Sequence, residues 1–235
     1  AERLGVKFRT NTIVTGIDTN TVNGCRRFHA IKFGSDSIAA GNAMLATGVQ
    51  TNLLLAGLGV HIPMTTPLVS AFQTTPVATS LGPVIGVANG DLAVRQQIDG
   101  RLRFTGGAEQ LNANLDLSGD YPAVYPPAAS IARVISSVSS VLPFISHTPI
   151  CRIWGGLLDL TPDALPVLDC VPSIDGLYIA AGFSGHGFGI APAVGEAMAC
   201  KILGKETIIS LDDFSFERFN QNSKSLQNST ATLYG

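Results

Sequence analysis

The sequence predicts a mixed α/β fold in which an antiparallel sheet is inserted between two pieces of one unit. Three observations predict it. Residues 6–47 are β-rich, residues 63–150 carry hairpin-like strands and one amphipathic helix, and residues 177–203 read as strand, glycine loop and helix. Hydrophobic residues make up 46% of the 235-residue chain and charged ones 14%, which suits a well-buried core and excludes a disordered chain.

Taken in order, Ala1 to Gly5 reads as the last turn of a helix capped by Gly5, so the chain is expected to be the later part of something longer. Thr12 to Ile17 is a predicted strand, and Phe28 to Phe33 alternates as another, with Asn23-Gly24 as a tight-turn signal between them. Ala43 to Ala46 is an apolar strand ending at Thr47-Gly48, and a helix from Thr51 to Leu58 closes at Gly59. Beyond Pro63, strands are predicted at Leu68 to Thr75, Val84 to Val87, Leu92 to Ile98 and Arg101 to Thr105, the last two joined by a two-residue turn at Asp99-Gly100. A helix over Ala128 to Val141 places Ile131, Val134, Ile135, Val138 and Val141 on one face, and Pro143 ends it. A strand from Thr148 to Trp154 follows. After the Leu177 to Ala181 strand, a helix is expected over Ala193 to Leu203 with Pro192 at its start. The polar tail, 221–235, is expected to be loose.

The glycine segment carries the chemistry. Gly182, Gly185, Gly187 and Gly189 stand between a buried strand and a helix start, with Ser184 and His186 among them. Glycines let backbone N–H groups approach an electron-rich group closely, and a helix N-terminus adds roughly half a positive charge there. The alternative is a turn that only packs the helix tightly on the strand. The spacing matches neither G-x-G-x-x-G nor G-x-x-x-x-G-K-[ST], so the loop is a poor nucleotide-phosphate cradle.

A net charge of −2 gives no reason to expect nucleic acid or an anionic membrane surface. No apolar run is long enough for a membrane span, and no basic-then-apolar leader opens the chain, so a cytoplasmic protein is expected. Cys25, Cys151, Cys170 and Cys200 are scattered without metal spacing and are expected to be buried free thiols.

Three segments, in order, resemble one family. Ala43 to Gly48 (AMLATG) is similar to the strand-plus-ATG motif of flavoproteins. Arg152 to Pro166 (RIWGGLLDLTPDALP) resembles the W-x-G-x-x-x-x-T-P-D-x-x-P segment of the D-amino-acid-oxidase-like (DAO) superfamily, and Leu177 to Leu203 its closing flavin segment. The WGG-x-x-D-x-TPD form is most similar to β-subunits of heterotetrameric sarcosine oxidases and to opine-oxidase and hydrogen-cyanide-synthase subunits. The resemblance implies the C-terminal part of a two-domain FAD-dependent oxidoreductase, oxidising the C–N bond of an amine, amino acid, imino acid or opine by hydride transfer to flavin N5. It implies FAD as cofactor, a small amine or amino-acid-like substrate and possible partner subunits. It also implies that residues 1–62 and 151–220 form the FAD domain, and 63–150 the substrate domain.

By the same resemblance, backbone at Val14 touches the adenosine part and Gly48 packs near the dinucleotide. Gly182, Phe183, Ser184, Gly185, His186, Gly187, Phe188, Gly189 and Ile190 line the isoalloxazine ring. Two departures matter. The G-x-G-x-x-G motif is absent, so a preceding segment or another chain is expected to hold the pyrophosphate. And Leu158 stands where glycine-oxidase-like members carry an arginine for the substrate carboxylate, so another group must grip a carboxylate if one is bound.

Alternatives stay open at single residues. His186 is either a donor or charge beside the ring and substrate, or a loop histidine bonded to backbone. Trp154 either shapes the substrate face or anchors a core. Thr161-Pro162-Asp163 reads as a turn that positions the flavin loop. Arg101 and Arg103 read as solvated hairpin residues, Arg152 as a carboxylate partner or a strand residue, and Met44 and Met198 as core. No metal site is predicted and no general base is assigned. The rival function is a non-catalytic binding or assembly subunit that keeps the fold without its own dinucleotide motif.

Overall fold

The computed structural model describes residues 1–78, 81–87, 92–110 and 124–221. The predicted loose tail lies, but for Gln221, outside the described residues. A short 3-10 turn at Glu2–Leu4 opens the chain, with Gly5 left-handed at φ 86° as the predicted cap. β1 (Gly16–Val22) and β2 (Cys25–Phe33) form a hairpin whose turn residues, Asn23 and Gly24, both have positive φ. That turn pairs Val22 with Cys25 and sets the register as far as Thr19 with Phe28; a bulge then shifts it by one residue, and the pairing runs out where Gly16 meets Lys32. The predicted strand at Thr12 therefore begins four residues later, at Gly16. β3 (Asp36–Ala39), exposed along its length, completes this sheet in the order β1-β2-β3.

β4 (Ala43–Leu45) leaves this sheet, and α1 (Thr51–Ala56) follows a 3-10 turn at Gly48–Gln50. The Asn52 side chain brackets Ile62, accepting from its N–H at 2.9 Å and donating to its carbonyl at 2.8 Å, and so orders the chain leaving α1.

The middle of the chain builds its own sheet from β5 (Leu68–Pro76), β6 (Ile85–Gly86), β7 (Leu92–Gln96), β8 (Arg101–Glu109) and, after α2 (Ala128–Val141), β9 (Ile150–Leu157). Its order is β6-β7-β8-β5-β9, antiparallel throughout. The β7–β8 loop is longer than the predicted two residues. Only Gly100 takes positive φ there, at 82°, so the chain closes through the Gly100 N–H to the Gln97 carbonyl (2.9 Å). One sheet face packs on α2, burying Phe72, Leu92, Val94, Leu102 and Phe104 against Val134, Val138 and Ile145. Ile131, Val134 and Val138 are buried as the helical period predicts, but Val141 in the last turn is exposed.

The end of the chain returns to β4. β10 (Val167–Cys170) pairs antiparallel with β11 (Leu177–Ala181), and β11 pairs parallel with β4, Ile179 opposite Leu45. The first and last segments thus share a sheet, while the residues between them build another. Leu45, Leu55, Ile62, Val167, Leu177 and Ile179 lie in the core behind the shared sheet. α3 (Gly187–Ile202) covers its other side with Val194, Ala197 and Met198, and Lys201 fastens it to Asp169 of β10 at 2.9 Å. α4 (Arg218–Gln221) ends the described chain.

Three expectations are corrected here. α3 starts at Gly187, not Ala193: Pro192 removes one N–H, but the carbonyl it leaves free belongs to Phe188, which is exposed. Met44 is 40% exposed because β4 is an edge strand among the described residues, whereas Met198 is buried as expected. The cysteines are free, but Cys25, Cys151 and Cys170 are exposed and Cys200 half-buried, because each falls on the outward side or end of its element.

Candidate functional site

The chain turns out of β11 through three left-handed residues, Gly182 (φ 73°), Ser184 (φ 53°) and Gly185 (φ 90°). Such a conformation at serine costs about 1–3 kcal/mol and persists only where neighbours hold it. Here they do. Ser184 is fully buried, its Oγ lies 3.2 Å from Thr161 Oγ1, and it accepts from the Thr161 N–H at 3.3 Å. The Ser184 N–H donates to the Asp159 carbonyl at 3.2 Å, and the Gly182 N–H donates to Asp159 Oδ2 at 2.8 Å. Asp159, to which sequence reasoning gave no role, therefore sets the entry of the loop.

The glycines divide into two kinds. A Cβ on Gly182 would stand 2.5 Å from Thr161 Cγ2, and one on Gly187 3.0 Å from Phe183 Cβ, so packing accounts for both. A Cβ on Gly189 or Gly48 would meet nothing within 4 Å. Packing explains neither; Gly48 is favoured by its left-handed φ of 52°, and both leave room for a ligand to approach the backbone. No side chain caps α3 at His186, so its first-turn N–H groups have no side-chain acceptor. An electron-rich ring edge fits this donor set.

Thr161-Pro162-Asp163 is the turn that holds the loop from below, as its sequence suggests. The Thr161 hydroxyl also donates to the Leu165 carbonyl at 2.9 Å, and Asp163 pairs with Arg218 of α4 at 2.7 Å. Burial works to raise the Asp163 pKa, but its hydrogen bond and charge interaction with Arg218 outweigh this and hold the carboxyl below its ordinary value. A depressed carboxylate stabilises the fold above its unfolded pKa of about 3.9, and this is lost as pH falls through the lower folded value. Asp163→Asn is expected to be less stable than the wild type by about 1–3 kcal/mol at neutral pH. The gap should close below about pH 4 in denaturation series run at several pH values.

Facing the loop is the open side of the five-stranded sheet. Between them lies a cleft of about 350 Å³, with Gly185 and His186 on one wall and Arg103, Thr105, Trp154 and Leu158 on the other. Ala71 sits between Thr105 and Trp154 in register, so β8, β5 and β9 present this wall as one row. Trp154 is half-buried on the cleft rather than in a core, and the Arg103 and Arg152 guanidiniums lie 5.2 Å and 5.3 Å from its ring centre. Arg103 is exposed, as its sequence suggests, and its exposed side is the cleft. Leu102, Phe104 and Gly106 face α2, so strand alternation turns Arg103 and Thr105 to the cleft.

Val14 lines a separate cleft of about 290 Å³ with Ile31, Phe33, Ala43 and Met44. Gly48 and Gly182 each stand three residues past the paired Leu45 and Ile179, so both lie at the carboxyl end of the parallel strands, where α/β sheets bind ligands. His29, His61 and His147 are exposed and line neither cleft. No group of three or more His, Cys, Asp or Glu among the described residues could hold a metal ion, and no described helix is long and apolar enough to cross a membrane.

The sequence model of the DAO family, described as FAD dependent oxidoreductase, matches residues 1–201. The chain is 26% identical over 199 residues to a protein named sarcosine oxidase subunit beta from Rhizobium meliloti, covering 85% of this chain and 45% of that one. A protein of the same name from Rhodobacter capsulatus is 26% identical over 219 residues, covering 93% and 49%. Among solved structures, L-proline dehydrogenase from P. horikoshii superposes with a TM-score of 0.79 at 27% identity, covering 94% of this chain and 57% of that one. The chain thus spans about half the length of the curated relatives it matches. With a family match over most of its length and a glycine loop that fits a flavin edge, the chain belongs to the FAD-dependent oxidoreductases of the DAO family.

Proposed function

We propose that the protein containing this chain oxidises the C–N bond of an amine, amino acid or imino acid. The observation that carries this reading is the single cleft that joins the uncapped start of α3 to the Trp154 wall. Bound FAD supplies a two-electron acceptor for the hydride equivalent of a C–H bond next to nitrogen. Residues 182–190 hold the ring edge: their backbone donors and the helix N-terminus favour the negative charge that a reduced ring carries. His186 donates a hydrogen bond at the same edge. Val69, Ala71 and Trp154 orient the substrate and exclude water from the reacting carbon. In this reading 1–62 and 158–220 serve the cofactor and 63–157, which includes β9 of the five-stranded sheet, the substrate, while Val14 and Gly48 meet the rest of the dinucleotide. Two curated relatives are named as subunits, which favours a multi-subunit assembly.

The test is the full-length protein that contains this chain. Purified, it is expected to retain FAD, and its flavin absorption should bleach anaerobically when a secondary amine or amino acid is added. Absence of flavin from the full-length protein and its assembly overturns the reading in favour of a binding or assembly subunit.

A further inference from the structure

The open face of the five-stranded sheet carries a row of cations. In register, Arg95 of β7 stands opposite Arg103 of β8, Arg103 opposite Gln73 of β5, and Gln73 opposite Arg152 of β9. The row crosses four strands, so it spans roughly 14 Å at the usual strand spacing. All three guanidiniums are on exposed residues, and none forms an ion pair with a described residue. The described acids nearest in sequence are engaged elsewhere, Asp99 with Arg101 at 3.2 Å, Glu109 with Arg133 at 3.0 Å and Asp159 with the Gly182 N–H at 2.8 Å. Like charges directly opposite each other on neighbouring strands destabilise a sheet. Arg95 against Arg103 is such a pair, and an anion bound between the strands would relieve it.

The row is continuous with the candidate site. Arg103 and Thr105 line both the His186 cleft and an adjoining cleft of about 200 Å³ that Arg95 borders. Trp154 holds Arg103 and Arg152 against its ring, which limits the freedom each would lose on binding a ligand. Leu158, on the same cleft, offers no charge. A single carboxylate beside the reacting nitrogen occupies one guanidinium in a bidentate pair. A row of this length matches further acid groups carried away from that nitrogen.

We infer that Arg95, Arg103 and Arg152 form an anion subsite beside the His186 cleft, and that the substrate is an amine carrying at least two carboxylates. The inference rests on the reading that this cleft takes an amine, but the subsite is testable without oxidation. The probes are glutarate, a non-oxidisable dicarboxylate, and butyrate, its monocarboxylate counterpart, titrated calorimetrically into the full-length protein. Glutarate should bind at least tenfold more tightly than butyrate. Arg103→Met should weaken glutarate about 10- to 100-fold, the loss of a charge-assisted pair. Arg95→Met, at the far end of the row, should weaken glutarate less, and Arg103→Lys should restore part of the affinity. In turnover, Arg103→Met should raise KM for an iminodicarboxylate far more than it lowers kcat. Equal affinity for the two probes, or glutarate binding that neither Arg103→Met nor Arg95→Met weakens, overturns the subsite. If glutarate binds as expected and no amine is oxidised, the subsite stands and the oxidase reading fails.

Discussion

Gly182→Val is expected to destabilise the protein by several kcal/mol and to strip the flavin from the full-length form. Two penalties act together. Gly182 holds φ at 73°, a region where a β-branched residue is strained by about 1–3 kcal/mol. Its Cβ would also stand 2.5 Å from Thr161 Cγ2, a clash with a buried side chain that costs about as much again. Thr161 cannot yield freely, because its hydroxyl is bonded to the Leu165 carbonyl and lies against Ser184. The two penalties separate experimentally. Gly182→Ala keeps most of both. Adding Thr161→Ser, which removes only Cγ2 and keeps the hydroxyl, should recover the clash and leave the strain. A double-mutant cycle read by denaturant midpoints and flavin content checks this. Additive effects of the two substitutions would sink the account of Gly182 as a packing glycine.

The same pair of residues marks how much of the site was legible in the sequence. The strand–loop–helix order and the turn at Thr161 to Asp163 could be read or inferred from three short motifs, whereas Trp154 stayed open between core and cleft. Asn23-Gly24 was legible because both residues take positive φ, the one conformation that this dipeptide favours strongly. Asp99-Gly100 was misread, the loop being 97–100 and so two residues longer than predicted, because only the glycine does so there. β3 and β10 were missed for different reasons: β3 is exposed at all four positions and shows no apolar alternation, and β10 has four residues between proline and turn signals. Asp159 stands in the WGG-x-x-D-x-TPD form, but its role was not legible, since a carboxylate that receives a glycine N–H looks like any surface aspartate in a one-dimensional string. The arginine row was invisible for a deeper reason. Its members come from β7, β8 and β9, and only the register, set by bulges and loops along the strands, lines them up.

That register depends on the core beneath it, so Phe104→Ala should damage both stability and the cleft. Phe104 is fully buried and stacks on Phe72 with ring centres 4.6 Å apart and planes 19° from parallel. Truncating such a phenylalanine typically costs about 3–5 kcal/mol, through lost transfer energy and the cavity left behind. The stacked partner adds to this, since an offset aromatic pair contributes about 0.5–1.5 kcal/mol beyond its buried area. Phe104→Leu, which fills most of the volume, should lose much less, and Ile98→Ala, at a fully exposed side chain, should stay within about 0.5 kcal/mol of wild type. Phe104 sits on β8 between Arg103 and Thr105, which face the cleft, so the strand cannot settle into the cavity without moving them. Denaturant midpoints should therefore fall in the order Ile98→Ala, Phe104→Leu, Phe104→Ala, with unchanged m-values. In the folded Phe104→Ala protein, amine turnover should fall with KM rising, because a wall displaced by even about 1 Å misplaces the substrate. A Phe104→Ala variant as stable as Ile98→Ala would mean that the Phe72–Phe104 stack is not what supports the cleft wall.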